Sequence, residues 1–384
     1  VFKESGGFQV VIGNPPYIRQ ELFSDLKPYL STKFKVYNGM ADLYVYFFEQ
    51  SYRLMSPCGL FSIIVANKWF RSSYGEQLRQ WLRAVCIKSI KDFGDLPVFE
   101  NATTYPCIIK IEKNAPVKKF LFSDLIKNGI KDPRNHDTSE FIEIDLQRLN
   151  DKGWILADEK SLDVLDQMKR VGKSFDSYVN KNVYRGIVTG KNEAFVIDEE
   201  KKNELIKKDK ASIEIIKSFV EGKDVKAYSQ ISPKHYLIFT RRGIDIDKYP
   251  AIKKHLELFK TELMPKPKNW KPKNDENWPG RKPGEYKWYE IQDSIEYYKE
   301  FDKDKIIYPN ICKQPEFSYD KQKLYTNQKC FIIPTKDLFL LGILNSELMY
   351  LWFEMYLPKL RGGFYEPNYA IFKNFPVCQI DSKN

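Results

Sequence analysis

Short apolar runs and amphipathic stretches alternate through the first third of the chain, and the period of each predicts its type. Phe8-Gln9-Val10-Val11-Ile12 and Leu60-Phe61-Ser62-Ile63-Ile64-Val65 have the β-branched and aromatic content of strands. Residues 42–55 and 74–85 have helical spacing; Leu43, Phe47 and Leu54 share one face of the first helix, and Asp42 is placed to cap it. Pro57 and Gly59 end that helix before the strand at 60–66. Further strands are expected at 87–93 and 105–111. Strands alternating with helices predict an α/β sheet.

The pattern loosens between residues 114 and 153, with an exposed loop expected at 131–137. A domain boundary is expected near Asp158, so that residues 1–158 form the first domain and 159–384 the second. The second domain reads as α+β: a helix at 159–171 leads into strands at 183–197, 235–240 and 305–308. Residues 260–289, rich in Lys and Pro and carrying Trp270, Trp278 and Trp288, are too polar and Pro-broken for a core element. They either follow a nucleic-acid backbone or lie against the domain. An apolar helix is expected at 338–356, followed by a turn at Arg361-Gly362-Gly363-Phe364-Tyr365.

Composition adds little to this outline. A chain of 384 residues suffices for two or three domains. With 62 Lys+Arg against 51 Asp+Glu, the formal charge of +11 suits a polyanionic partner without identifying one. The 24 Tyr and 26 Phe serve base stacking as well as ordinary cores. Six scattered cysteines without a C-x-x-C pair, and three distant histidines, argue against structural zinc or disulfides. No basic-then-apolar leader opens the chain, and Asn345, Ser346 and Glu347 interrupt its most apolar stretch. A soluble, cytoplasmic protein without membrane contact is expected.

The sharpest chemical feature is Asn14-Pro15-Pro16-Tyr17, a tetrapeptide that would arise by chance in roughly one of several hundred chains of this length. The strand before it, ending at Gly13, delivers it to the carboxyl end of a sheet, where open α/β folds place ligands. The exocyclic N6 of adenine is a poor nucleophile because its lone pair is delocalised, so a catalyst has to hold the amino hydrogens with acceptors. Asn14 offers its side-chain oxygen, and Pro15 its carbonyl, in a chain stiffened by Pro15 and Pro16. Tyr17 is placed to stack on a base rotated out of its duplex. Phe99 is the candidate for a second aromatic wall, with Tyr105 as the substitute. A rigid strand-to-loop turn without function is the competing reading.

Residues 8–18 around this motif resemble the fourth motif of gamma-class DNA adenine methyltransferases, as in TaqI-like and Eco57I-type restriction-modification proteins. Residues 59–82, Asp92-Phe93-Gly94-Asp95 and residues 98–109 are similar to the motifs that follow. Residues 185–195, Gly222-Lys223-Asp224-Val225 and Arg361-Gly362-Gly363 resemble the TaqI-like target-recognition domain. The resemblance implies part of a Rossmann-like methyltransferase sheet followed by an α+β target-recognition domain. It further implies a prokaryotic host, double-stranded DNA as partner and S-adenosylmethionine as methyl donor. Asn14 and Pro15 would hold the amino group, Tyr17 would stack on adenine, and Phe99 would meet its edge or other face. Arg185, Lys191, Asn192, Lys223 and Arg361 become candidates for base or phosphate contacts, each competing with a merely solvated basic residue.

The family's cofactor motif, a strand followed by a Gly-x-Gly turn, belongs upstream of Asn14, and no two of the 19 glycines here have that spacing. The expectation is a fragment inactive by itself, or a chain whose cofactor-binding half is supplied separately upstream of Val1. Glu221-Gly222-Lys223 matches the last part of a nuclease metal site, but a preceding Pro-Asp is absent at suitable spacing; no metal site is expected, and a nuclease would lie outside the chain, making a combined type IIG enzyme. Two rival functions remain: a DNA-binding specificity module without chemistry, and a protein-glutamine methyltransferase, which also uses Asn-Pro-Pro-Tyr but needs no large basic second domain.

Overall fold

The computed structural model describes residues 6–99, 104–272 and 277–378. The chain divides into two compact units: Val1–Gln167 with Leu360–Gly363, and Met168–Lys359 with Phe364–Asn384. The division falls inside the helix Glu159–Val171, past Asp158. The first half of that helix is held to the first unit, because Arg148 donates to Asp163 at 2.8 Å and Asp166 at 2.9 Å.

Among the described residues the first unit holds one six-stranded sheet. Its strands are β1 (Phe8–Gly13), β2 (Met55–Ala66), β3 (Cys86–Asp92), β4 (Pro106–Glu112), β5 (Lys119–Asp124) and β6 (Ile142–Asp145), in the order β1-β2-β4-β3-β5-β6. β1 runs parallel to β2 and β3 parallel to β5, while β4 is antiparallel to both β2 and β3. The carboxyl ends of β1, β2, β3 and β5 therefore share one edge of the sheet.

Alternation along β2 explains the layering. Phe61, Ile63 and Val65 face a core completed by Phe48, Leu78, Trp69 and Trp154. The helix Tyr44–Leu54 buries Tyr44, Val45 and Phe48 and leaves Phe47 37% exposed, so its buried face is not the one through Leu43, Phe47 and Leu54. Asp42 does not cap it: the cap position is Leu43, without a side-chain bond. Arg79 on the helix Glu76–Leu82 is fully buried and donates to the carbonyls of Asp151 (2.7 Å), Ser72 (2.9 Å) and Trp69, fixing the segment that leaves β2.

β1 is an edge strand of this sheet, with Val10 58% and Ile12 80% exposed on the face opposite the core. Phe8 and Leu60 extend the same apolar surface. Parallel strands of this composition are ordinarily covered on both faces.

In the second unit the main strands are β7 (Gly172–Ser174), β8 (Tyr184–Arg185), β9 (Val196–Ile197), β10 (Ile216–Val220), β11 (His235–Ile238), β12 (Lys305–Pro309), β13 (Ser318–Asp320), β14 (Tyr325–Thr326), β15 (Cys330–Pro334) and β16 (Pro376–Cys378). They form sheets ordered β14-β10-β11-β9 and β13-β12-β15-β8, and a pair between β16 and β7. The strand expected over 183–197 is broken into β8, a short helix Asn192–Phe195 and β9. Gly190 turns the chain with a φ of 82°, a conformation that excludes a continuous strand.

The apolar stretch 338–356 is two helices, Leu338–Leu344 and Glu347–Tyr356, bent by 52°. Asn345 makes the break: its side chain accepts from Phe317 N (3.0 Å) and donates to Phe317 O (2.9 Å), and Ser346 then caps the second helix. No single helix among the described residues is long and apolar enough to cross a membrane. The six cysteines are unpaired.

A fully buried ion pair joins Lys305 on β12 to Asp320 on β13, and Asp320 also accepts from the backbone of Gln322 and Leu324. Burial pushes the Lys305 ammonium below its ordinary value more than Asp320 raises it. Removing one partner leaves a buried charge unmatched. Asp320→Ala should destabilise the protein by about 3–5 kcal/mol in chemical denaturation, and the double change Lys305→Met with Asp320→Leu by clearly less. Equal losses would show that the pair does not act as a unit.

Candidate active site and nucleic-acid interface

Register decides where the first site lies. β1 keeps pace with β2 up to the pair Gly13 and Ile63, and Asn14 is the first residue beyond it. Asn14 is exposed, whereas Pro15 is buried and stiffens the exit. Tyr17 then folds back, its hydroxyl donating to the Ile64 carbonyl at 3.3 Å. Burial pushes the Tyr17 phenol up to about 12, with the neighbouring Cys107 adding to the shift, so the ring stays neutral over the physiological range. The arrangement offers a free carboxamide, a fixed ring and little room for the backbone to move.

Of the two aromatic residues proposed to oppose Tyr17, the fold brings up Phe99, with ring centroids 6.0 Å apart and planes at 68°. The Tyr105 hydroxyl instead bonds to the backbone of Arg361. Phe99 follows a turn built on Asp92, which accepts from Gly94 N (3.0 Å) and Asn67 Nδ2 (2.9 Å). Gly94 has a φ of 54°, and a Cβ there would meet Ile126 at 2.9 Å. Arg361-Gly362-Gly363 is counted within this unit, and Gly362 N donates to Asp95 at 2.7 Å. Its structural role is to brace the turn that carries Phe99.

One residue beside Tyr17 was not singled out from sequence. Tyr44, wholly buried, lies 6.2 Å from the Tyr17 ring and shares a 3.1 Å hydrogen bond with Tyr74. In the sequence it passes for one more apolar position of a helix. Asp42 accepts from the Gln20 backbone instead of capping that helix, and burial raises its carboxyl above the ordinary value despite Lys68 and Arg19.

In the second unit the candidates separate. Arg185 is exposed on β8, its Nε donating to Gln328 O at 3.2 Å. Lys191 is paired with Glu262, and Glu193 lies 3.7 Å away. Asn192 accepts from Thr189 Oγ1 at 2.6 Å, and Lys223 is paired with Glu221 at 2.6 Å. Arg185 is the one least occupied by internal contacts. The Glu221-Gly222-Lys223 segment is a short turn closed by reciprocal bonds between Glu221 and Asp224.

Of the Lys- and Pro-rich segment 260–289, residues 273–276 lie outside the described residues; the described parts bond within their own unit. Arg281 is buried and donates from Nε to Leu263 O (2.8 Å), from Nη1 to Thr189 O and Glu290 O (2.8 Å each), and from Nη2 to Trp288 O (3.0 Å). Burial drives its guanidinium down to about 10. Trp278 donates to Met264 O at 3.1 Å and meets Trp270 edge-on. No sequence period marks such a residue, because its partners are carbonyls from three separate stretches.

Fold and motif together define a class: a Rossmann-like methyltransferase sheet with an Asn-Pro-Pro-Tyr turn after β1, followed by a mixed α+β unit. Residues 1–99 match the family Eco57I restriction-modification methylase, and residues 217–377 match the TaqI-like C-terminal specificity domain. The two matches make the first unit similar to the methylase part, and most of the second similar to the specificity part, of restriction-modification proteins. The chain is 26% identical to the Type II methyltransferase M.BstVI of Geobacillus stearothermophilus, over 71% of this chain and 51% of that protein. It is 24% identical to the Type II methyltransferase M.XhoI of Xanthomonas vasicola, over 93% and 66% respectively. It therefore spans about half to two-thirds of these relatives' length. Among solved structures, the Type IIL restriction-modification enzyme MmeI in complex with DNA aligns over 97% of this chain and 47% of its own, at 14% identity and a TM-score of 0.58. That is a likeness of fold.

The raised Asp42 carboxyl gives a signed test. An acid whose folded value lies above its unfolded one costs stability once pH rises through the ordinary carboxylate range, and costs nothing below it. Asp42→Asn should melt at a higher temperature than the parent at pH 7, and the gap should close as pH falls below about 4. A gap that widens in acid would reverse the assignment.

Proposed function

We propose that this chain is the target-base and sequence-recognition part of a DNA adenine-N6 methyltransferase within a restriction-modification system. The observation that carries this reading is the exit of Asn14-Pro15-Pro16-Tyr17 at the carboxyl edge of the sheet with Phe99 opposite Tyr17. The Asn14 oxygen and the Pro15 carbonyl accept the two hydrogens of the exocyclic amino group, drawing its lone pair away from the ring and onto nitrogen. Tyr17 stacks on the base, and Phe99, set at 68° to it, meets the base edge. These contacts offset a few kcal/mol of lost pairing when the base leaves the duplex.

S-adenosylmethionine would supply the methyl group. The described residues do not make up its site, since β1 is an edge of the sheet and the chain has no Gly-x-Gly turn. A cofactor-binding half whose strands pair with the β1 edge, and whose other elements cover Val10 and Ile12 on the exposed face, fits this sheet. The catalytic roles here are therefore confined to holding and orienting the base, and the chain alone is expected to bind DNA without methylating it.

The test is nucleoside mass spectrometry of DNA incubated with S-adenosylmethionine and the chain joined to such a half. N6-methyladenine should appear, and Asn14→Ala should reduce it at least a hundredfold, the scale expected when an acceptor at the reacting group is lost. Methylated cytosine would refute the adenine assignment, and full activity of the variant would refute the role of Asn14. Supplying the half as a separate polypeptide probes the exposed face of β1. Val10→Lys with Ile12→Lys should leave this chain folded by circular dichroism yet abolish restored transfer, whereas unchanged transfer would show that the half docks elsewhere.

A further inference from the structure

The second unit contains a polar cleft of about 510 Å³, open to solvent, whose lining includes Arg185, Arg242, Lys282, Gln292, Asp293 and Gln328. Not all of these are available to a ligand. Arg242 is consumed by the fold: its guanidinium donates to Ile291 O and Gln292 O and lies 4.9 Å over the Tyr286 ring. It forms a wall.

The remaining groups are held on rigid backbone. Arg185 lies on β8 in register with Phe331 of β15, and its carbonyl accepts from the Tyr297 hydroxyl at 2.8 Å. Gln292 and Asp293 donate their backbone N–H groups to Thr189 O and Val188 O, at 3.2 Å each. Two glycines permit this close packing. A Cβ at Gly190 would press on the Gln292 side chain at 2.8 Å, and one at Gly186 would overlap the Asn327 carbonyl. Arg281 ties both limbs together through Thr189 O and Glu290 O. The Gln328 side-chain oxygen is shielded and has no hydrogen-bond partner.

The chemistry of the cleft selects among ligands. Asp293 would repel a phosphate lodged in its centre, and the polar lining does not suit an apolar molecule. A guanidinium, a carboxamide and a carboxylate on a fixed scaffold match the alternating acceptors and donors of base edges: arginine for guanine, glutamine for adenine, a carboxylate for the cytosine amino group. We infer that this cleft reads base edges of duplex DNA, with Arg185, Gln292 and Asp293 as specificity determinants and exposed Lys282 as a phosphate anchor at its rim. This rests on the DNA-directed reading above and assigns the part of the chain that selects the sequence.

The experiment is selection of duplexes from a randomised pool by this chain, compared with Gln292→Ala, Asp293→Ala and Asp293→Asn, each first checked for an unchanged melting temperature. The parent should enrich one defined sequence. Each variant should lose discrimination at one base pair within it by about tenfold to a hundredfold. Lys282→Ala should weaken binding to all sequences alike and lower the salt dependence. Unchanged preference in the Gln292 and Asp293 variants overturns the inference, as does parent binding without any sequence preference. Failure of the parent to bind duplex at low salt would instead bring down the DNA-directed reading, and this assignment with it.

Discussion

The parallel pairing of β1 with β2 is the constraint on which the first unit's candidate site depends. It stops at Gly13 opposite Ile63, so Asn14 leaves the sheet at a fixed height, and Tyr17 is returned to the Ile64 carbonyl of the same partner strand. A slip of one residue would turn every side chain of β1 to the other face. Asn14 would then no longer emerge where Phe99 stands opposite Tyr17. Buried Pro15 makes the exit stiff, and stiffness matters because an acceptor displaced by about 1 Å loses much of its hold on a reacting group.

Two other devices hold that edge in place. Asp92 uses one carboxylate oxygen to bind Gly94 and Asn67, joining the ends of β3 and β2. Asp95 receives Gly362, which supports the turn before Phe99. The site is thus assembled from chain stretches far apart in sequence, tied by hydrogen bonds to aspartate side chains.

The second unit relies on a different device. Arg281 sits where several irregular segments meet and satisfies carbonyls that no strand or helix serves. A planar guanidinium with five donors suits that task better than an ammonium. Buried irregular backbone must find hydrogen-bond partners of its own, and Arg281 supplies them. The ion pair of Lys305 and Asp320 gives the neighbouring sheet a comparable internal anchor.

Local pattern was enough to determine β1 to β4, the helix Glu159–Val171 and the place of Asn14-Pro15-Pro16-Tyr17 at a strand end, because period, turn residues and apolar runs are properties of short stretches; β5 and β6 lie where that pattern loosens and were not expected. It was also enough to name Phe99 and Tyr105 together. Only the tertiary structure separated them, since which ring meets Tyr17 depends on a turn fastened by Asp92 and Asp95. Tertiary contacts likewise broke the long stretch at 338–356, where Asn345 bonds to Phe317, and divided 183–197 at Gly190. They occupied Lys191 and Lys223 with Glu262 and Glu221, and gathered Gln292 and Asp293 beside Arg185. Charges and carboxamides are free or engaged according to partners distant in sequence, and a linear pattern does not contain those partners.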